Sequence, residues 1–407
     1  MAVEPLRRSV PRHWEMLPAA VRIGILYLAA RLATTAFLIG AAELSGPESR
    51  WGTQAGIGEF VLAWDAQWYW FVAVNGYPAT LPLTDAGQVA ENQWAFMPIY
   101  AYLSQLVGLP FDSWGIGAFI VTLVAGYFAC LVFYRLLRVR QHRSTATWAT
   151  LFLAAGPLAV LFQVGYAESL FLLWLFLALD GVVRRRYGRL YLLIVLMGYT
   201  RPGVLAFALF LGLYGIWRWF RRRQESLPVR EIVHIVTLGA LATLVGFSWQ
   251  FFAAIITGDP GAYLATELSW RRNWIADASG GFIPFDGFVQ GAEFWFTAWG
   301  PGAVVGYVAL GLAVLAVAAL LLFEPHVRRL GVELRLWAAS YLVYLLAVFF
   351  PQSSLFRLLV PVSPLWGALA MPRSWVWRLG VLAACLIGQW WWIYNMYGLA
   401  NAYWQIP

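Results

Sequence analysis

The stretch WGIGAFIVTLVAGYFACLVFYRLL, from Trp114 to Leu137, passes directly into RVRQHR, from Arg138 to Arg143. An apolar run of about 20 residues crosses the hydrocarbon core of a bilayer as one helix. Arginines gathered at its end mark a helix that stops on the cytoplasmic side, because short cytoplasmic loops carry the excess of basic residues. The same alternation repeats along the 407 residues. Arginine patches at 135–143, 184–189, 218–230 and 328–335, with Arg373 and Arg378, separate one hydrophobic run from the next. The chain is 61% hydrophobic and only 12% charged, about half the charge of an average soluble domain. The expected fold is all-α, polytopic and membrane-embedded, one integral-membrane domain over residues 1–407.

The net charge of +8 suggests nucleic acid only until its distribution is read. All 28 basic residues are Arg, and they sit between apolar segments, so no nucleic-acid partner is expected. No cleavable signal peptide is expected either, since the polar first 20 residues precede a run long enough to span. Cys130 and Cys385 fall inside apolar runs and read as buried small hydrophobes, not a disulfide. His13, His142, His234 and His326 lack ligand spacing, so neither a metal nor another cofactor is expected.

With the arginine patches as cytoplasmic markers, the amino terminus lies inside. Spans are expected near 21–43, 114–137, 144–163, 167–183, 232–256, 301–323, 335–350, 355–371 and 376–397. Residues 189–220 add two short segments that meet at Arg201-Pro202-Gly203, which brings the total to about eleven. Two large loops, 44–113 and 257–300, then face the extracytoplasmic side of a cell membrane, as does the carboxyl terminus. In the first loop, the apolar stretch Phe96 to Val107 is short and contains Pro98, which suits a re-entrant or interfacial helix. Arg50, Arg201, Arg271, Arg272 and Arg357 fall outside, where the positive-inside rule disfavours them, and Arg31 lies within the first span. No internal repeat is visible, which argues against the commonest transporter architectures.

The first loop carries WDAQWYW, Trp64 to Trp70, followed by Asn75-Gly76-Tyr77 and by Phe96-Met97-Pro98-Ile99-Tyr100. Asp65 has a bland reading, a solvated loop acid or helix N-cap. It also suits a general base at the membrane surface, tuned by its aromatic surroundings. Trp64, Trp68 and Tyr69 belong in an interfacial belt, and their ring faces can stack on a sugar. Gln67 and Tyr100 are candidate supporting contacts. Arg201 and Arg357 are the best phosphate ligands, because an ionisable group at membrane depth is a functional hypothesis by default. Their alternative is snorkelling or pairing with Glu168. Arg271 and Arg272 are weaker phosphate candidates. Glu168 orients an Arg or a substrate, or is itself the base. Asp259, Glu267, Asp277 and Asp286 read as structural or gating acids.

These motifs, in this order, resemble the PIG-V family of mannosyltransferases. The resemblance extends through Gly165-Tyr166-Ala167-Glu168-Ser169-Leu170-Phe171 and the Thr200-Arg201-Pro202-Gly203 turn to Ser354-Leu355-Phe356-Arg357 with Pro361 and Pro364. It covers residues 25 to 370. It implies a GT-C-type glycosyltransferase fold with the active site on the extracytoplasmic side. It implies a polyprenyl-phosphate or dolichyl-phosphate mannose donor and a lipid-linked or cell-envelope glycan acceptor. Transfer would be metal-independent and inverting, with Asp65 at the position of the family's base. Gln67 departs from the His or Gly frequent near that acid, which sets the acceptor contact of this chain apart. Competing expectations are a lipid-linked sugar transporter or flippase, transfer of another polyprenyl-linked sugar such as arabinose, and a non-catalytic membrane scaffold.

Overall fold

The computed structural model describes residues 16–53, 55–275 and 281–407; expectations that touch His13 or Asp277 lie outside the described residues. Helices dominate, and the one β-pairing among the described residues is an isolated bridge between Leu83 and Val89. Six helices are long and apolar enough to cross a membrane: Ala19–Glu43, Trp114–Leu137, Val204–Arg221, Val229–Thr257, Ala303–Phe323 and Trp375–Leu399. Their outer faces are unlike those of a water-soluble bundle. Along Ala303–Phe323, Val304, Leu315 and Phe323 are each exposed by more than half, a surface stable only against lipid. The protein is a polytopic helical membrane protein.

The remaining expected spans are shorter, for visible reasons. The helix Arg143–Ala154 stops before Gly156-Pro157, since proline lacks the N–H that would continue it. The segment 355–371 breaks into short turns around Pro361 and Pro364. Glu168–Val183, Leu190–Gly198 and Val332–Val348 are continuous but brief. Leu190–Gly198 and Val204–Arg221 do form a broken pair around Arg201-Pro202-Gly203. Gly203 has φ of +131°, a backbone that residues with a side chain rarely adopt. Both large loops carry short helices: Ile57–Val61, Asp65–Asn75 and Pro98–Gly108 in the first, Ala262–Arg272 and Asp286–Ala298 in the second. Pro98 opens its helix rather than interrupting it, the position proline tolerates best.

The arginine patches converge at one end of the bundle. Arg140 pairs with Glu333, Asp180 with Arg184 and Arg189, and Arg218 with Glu231 and Glu225. Gln141 donates to the Arg329 carbonyl and Arg378 to the Ser144 hydroxyl. Segments far apart in sequence are thereby stitched together at the arginine-rich end. Both cysteines are buried and unpaired.

Arg31 has a clear structural role. Its guanidinium donates to the Ala154 and Ala159 carbonyls at 2.5 and 2.6 Å, between the rings of Tyr27 and Phe162. It thus satisfies the Ala154 acceptor left open where the helix Arg143–Ala154 ends, the position at which a cation also suits the helix dipole, and ties it to the Ala159–Phe162 turn. Arg31→Leu should orphan these buried carbonyls and cost about 3 kcal/mol. A thermal-unfolding scan in detergent would show this as a large drop in Tm; an unchanged Tm would remove the assignment.

Candidate active site

Four charged side chains from four distant parts of the chain meet at the end opposite the arginine patches. Asp65 accepts a hydrogen bond from Arg357 Nη1. Arg357 Nε lies 3.5 Å from Glu168 Oε1, and the same oxygen lies 2.5 Å from Arg201 Nη1. The order Asp65, Arg357, Glu168, Arg201 is a ladder of alternating sign. Asp65 is the most open of the four side chains, at 25% exposure, and Glu168 the most enclosed, at 4%.

Local structure explains how each acid arrives there. Asp65 is the first residue of the helix Asp65–Asn75, and Glu168 the first of Glu168–Val183. An acid in the first turn faces the positive end of the helix dipole. The two helix starts are brought together at Gly165, whose N–H donates to the Val61 carbonyl at 2.8 Å. A Cβ on Gly165 would press on Ala66 at 3.0 Å and on that same carbonyl at 3.1 Å, so glycine gives this approach its room. On the other side, the Ile99 N–H donates to the Tyr199 carbonyl. That bond supplies a partner to an otherwise orphaned helix-start donor and joins the Met97-Pro98 turn to the turn bearing Arg201.

Trp64 holds the entry to the Asp65 helix. Its φ and ψ are 57° and −121°, a sparsely populated conformation for any residue with a Cβ, and one that costs on the order of 1–3 kcal/mol. The indole is fixed in compensation: Nε1 donates to the Met396 carbonyl at 2.9 Å, and the Arg50 guanidinium lies 4.4 Å from a ring centroid. Tyr69, one turn beyond Asp65, lies within the field of all four charges. Tyr166 lies beneath Arg357, whose guanidinium carbon is 5.2 Å from the ring centroid.

Several nitrogens and oxygens of the ladder remain uncommitted. Among the described residues, Arg357 Nη2, Arg201 Nε and Nη2, and Asp65 Oδ1 have no hydrogen-bond partner, yet none is sealed from solvent. A guanidinium offers five N–H donors in a planar fork suited to carboxylate or phosphate. The cluster therefore keeps an anion-binding surface beside an open carboxylate oxygen.

The other sequence candidates divide. Trp68 stacks on Phe96 at 10° and meets Trp270 edge-on, so it frames the Asp65 helix. The Tyr100 hydroxyl is used within the fold, bonded to the Ala118 carbonyl and the Thr122 hydroxyl, and the residue is fully buried. Gln67 is exposed and makes no side-chain hydrogen bond among the described residues. Arg271 turns to Asp286 at 3.9 Å, and Arg272 donates to the Val89 carbonyl. Arg271 and Arg272 stand apart from the ladder, each with a partner of its own in the loops. Tyr166 was not singled out by its chemistry, although it lies inside the Gly165 to Phe171 motif. Among the described residues, no group of three His, Cys, Asp or Glu side chains has metal-site geometry.

An apolar cavity of about 1000 Å³ lies elsewhere in the helical body, and none of the four ladder residues lines it. Phe356, adjacent to Arg357 in the chain, lines it, as do Trp377, Trp391 and Trp392 of the last long helix. Trp377 and Trp391 are separated by about 20 Å of helix rise. At its far end, the wall includes Glu324 and His326, next to the arginine-rich end. No known family model matches the chain, and no curated protein does either.

Proposed function

We propose that this protein is a membrane glycosyltransferase that moves a sugar, mannose on the motif resemblance, from a polyprenyl-phosphate donor to a lipid-linked or envelope glycan. The observation that carries the reading is the ladder itself: two arginines with free donors and an acid with a free oxygen, with Arg357 one residue along the chain from Phe356 in the wall of a long apolar cavity. Phosphate suits the guanidiniums through paired charge-assisted hydrogen bonds, and a prenyl chain suits the cavity by chemistry and length.

In this reading the acceptor hydroxyl attacks the anomeric carbon, and the bond from that carbon to the phosphate oxygen breaks with inversion. Asp65 Oδ1 takes the hydroxyl proton. The lipid phosphate leaves with a second negative charge, which Arg357 and Arg201 stabilise where it develops. Donor binding has a further consequence. The phosphate competes with Asp65 for Arg357, so the carboxylate is loosened from its clamp when the sugar is in place. The arginine patches would face the cytoplasm and the ladder the opposite side; the GT-C architecture and the wider set of eleven crossings belong to the same proposal.

A flippase would need charges near the bilayer midplane, whereas these four gather at one end. The test is purified full-length protein in lipid nanodiscs with polyprenyl-phosphate mannose, polyprenyl-phosphate arabinose and membrane lipid extract. Formation of a new glycolipid with one donor is the expected result. No product with either donor, together with leaflet-to-leaflet movement of the intact donor in proteoliposomes, would replace transfer by transport.

A further inference from the structure

The helices Val204–Arg221 and Val229–Thr257 follow one another and pack antiparallel, but they do not close on each other along their whole length. A Cβ on Gly246 would lie 2.3 Å from Leu205 Cδ2, and one on Gly215 would lie 3.1 Å from Ile235 Cγ2. Glycine gives the two backbones room to approach at both places. Beside these contacts a groove of about 750 Å³ opens between the helices. Its walls are apolar, with Gly212, Ile216 and Trp219 from the first helix and Val236, Gly239 and Ala240 from the second. From Ala208 to Phe220 the first wall covers about 18 Å of helix rise, slightly more than the roughly 15 Å of hydrocarbon in one leaflet.

Gly212 has no such explanation within the protein. A Cβ there would meet nothing within 4 Å, and glycine in a helix interior is destabilising relative to alanine. The groove changes character at the arginine-rich end. Trp219 and Phe220 are exposed by half or more, and the Arg222 guanidinium carbon lies 4.1 Å from the Trp219 ring centroid. Arg222 keeps helical backbone angles and follows Gly215 by seven residues, about two turns, so the groove face of the helix runs into it. One of its nitrogens donates to the Trp219 carbonyl at 2.7 Å. The acids that follow are already taken: Glu225 pairs with Arg185 and Arg218, and Glu231 with Arg218. Among the described residues, neither Arg222 nor the exposed Arg223 has an ion-pair partner.

We infer that this groove binds an anionic phospholipid from the leaflet at the arginine-rich end, with an acyl chain along Gly212 and Gly239 and the headgroup phosphate on Arg222. Apolar walls alone would accept any lipid chain, so the charge at the mouth decides the class. A guanidinium stacked on an indole presents its remaining N–H donors at interface depth, where Trp collects and lipid phosphates lie. Basic pockets between membrane helices are a recurring site for anionic headgroups. A zwitterionic phospholipid carries the same phosphate but adds an ammonium that two unpaired arginines repel. A second copy of this chain is the other occupant that an apolar groove suits. Seated there in the same membrane orientation, it would bring its own Arg222 and Arg223 to the same depth, and like charges disfavour that. The site lies at the end opposite the ladder and does not depend on the transferase reading.

The experiment is native mass spectrometry of the full-length protein in detergent, titrated with equimolar dioleoyl phosphatidylglycerol and dioleoyl phosphatidylcholine. Wild-type protein should retain phosphatidylglycerol over phosphatidylcholine by about fivefold or more, the gain from one arginine near a headgroup. Arg222→Gln combined with Arg223→Gln should bring that preference close to parity. Arg138→Gln, an exposed position on another helix end outside the groove, should leave it unchanged. Gly212→Leu fills the groove and should weaken phosphatidylglycerol binding severalfold, which a site reading phosphate alone would not show. The exposed arginine positions provide the test if Gly212→Leu does not fold. No preference in wild type, a preference that survives the double variant or falls equally with Arg138→Gln, or unchanged binding in Gly212→Leu would overturn the site. A dimer without bound lipid that Gly212→Leu dissociates would give the groove to a second copy instead.

Discussion

Asp65→Asn should lose sugar transfer by about a thousandfold, within the range typical of a removed general base, while donor binding holds or tightens. The direction of the binding change is the informative part. Asp65 accepts from Arg357 Nη1, so the neutral amide competes less strongly with a phosphate for that guanidinium. A merely structural acid would instead lose donor affinity and stability together. Single-turnover transfer and donor titration on the same preparation would separate the two. A variant with wild-type turnover would end the base assignment, and Glu168 would be next in line, because it shares Arg357 and Arg201.

Arg357→Ala should raise the donor KM at least tenfold and lower stability by about 3 kcal/mol, because it leaves Asp65 and Glu168 facing each other with one guanidinium removed. The double variant Asp65→Asn with Arg357→Ala should recover part of that stability and none of the activity. Such coupling is expected of residues in direct contact. The cycle can be read by thermal unfolding in detergent beside donor kinetics. Additive stability losses would place the two side chains apart, and unchanged donor kinetics would take Arg357 out of the site.

The long helices were legible because apolar runs of membrane length have few other uses. Arg201, Arg357 and Glu168 were legible as exceptions, charges at the end of the bundle where the arginine patches are not. In the sequence, Arg201 pairing with Glu168 is only the bland alternative to phosphate binding, yet the pair is part of the ladder. What stayed hidden depends on three-dimensional competition. Nothing local to Arg271 or Arg272 tells that Asp286 and the Val89 carbonyl lie within reach. The Tyr100 hydroxyl is occupied by Thr122, a partner 22 residues away that no local pattern reveals. The short helices were misjudged in length because hydropathy is blind to the backbone, and Gly156-Pro157 ends a helix inside an otherwise apolar run.

The alternating ladder also sets an electrical cycle for the proposed reaction. On their own, its two acids and two arginines cancel. The donor phosphate brings the site to a single negative charge, and transfer leaves that total unchanged while Asp65 holds the proton. Once the proton escapes to solvent, the product phosphate and both carboxylates outnumber the arginines by two charges. Deprotonation would then drive the spent lipid out, coupling product release to the return of the base.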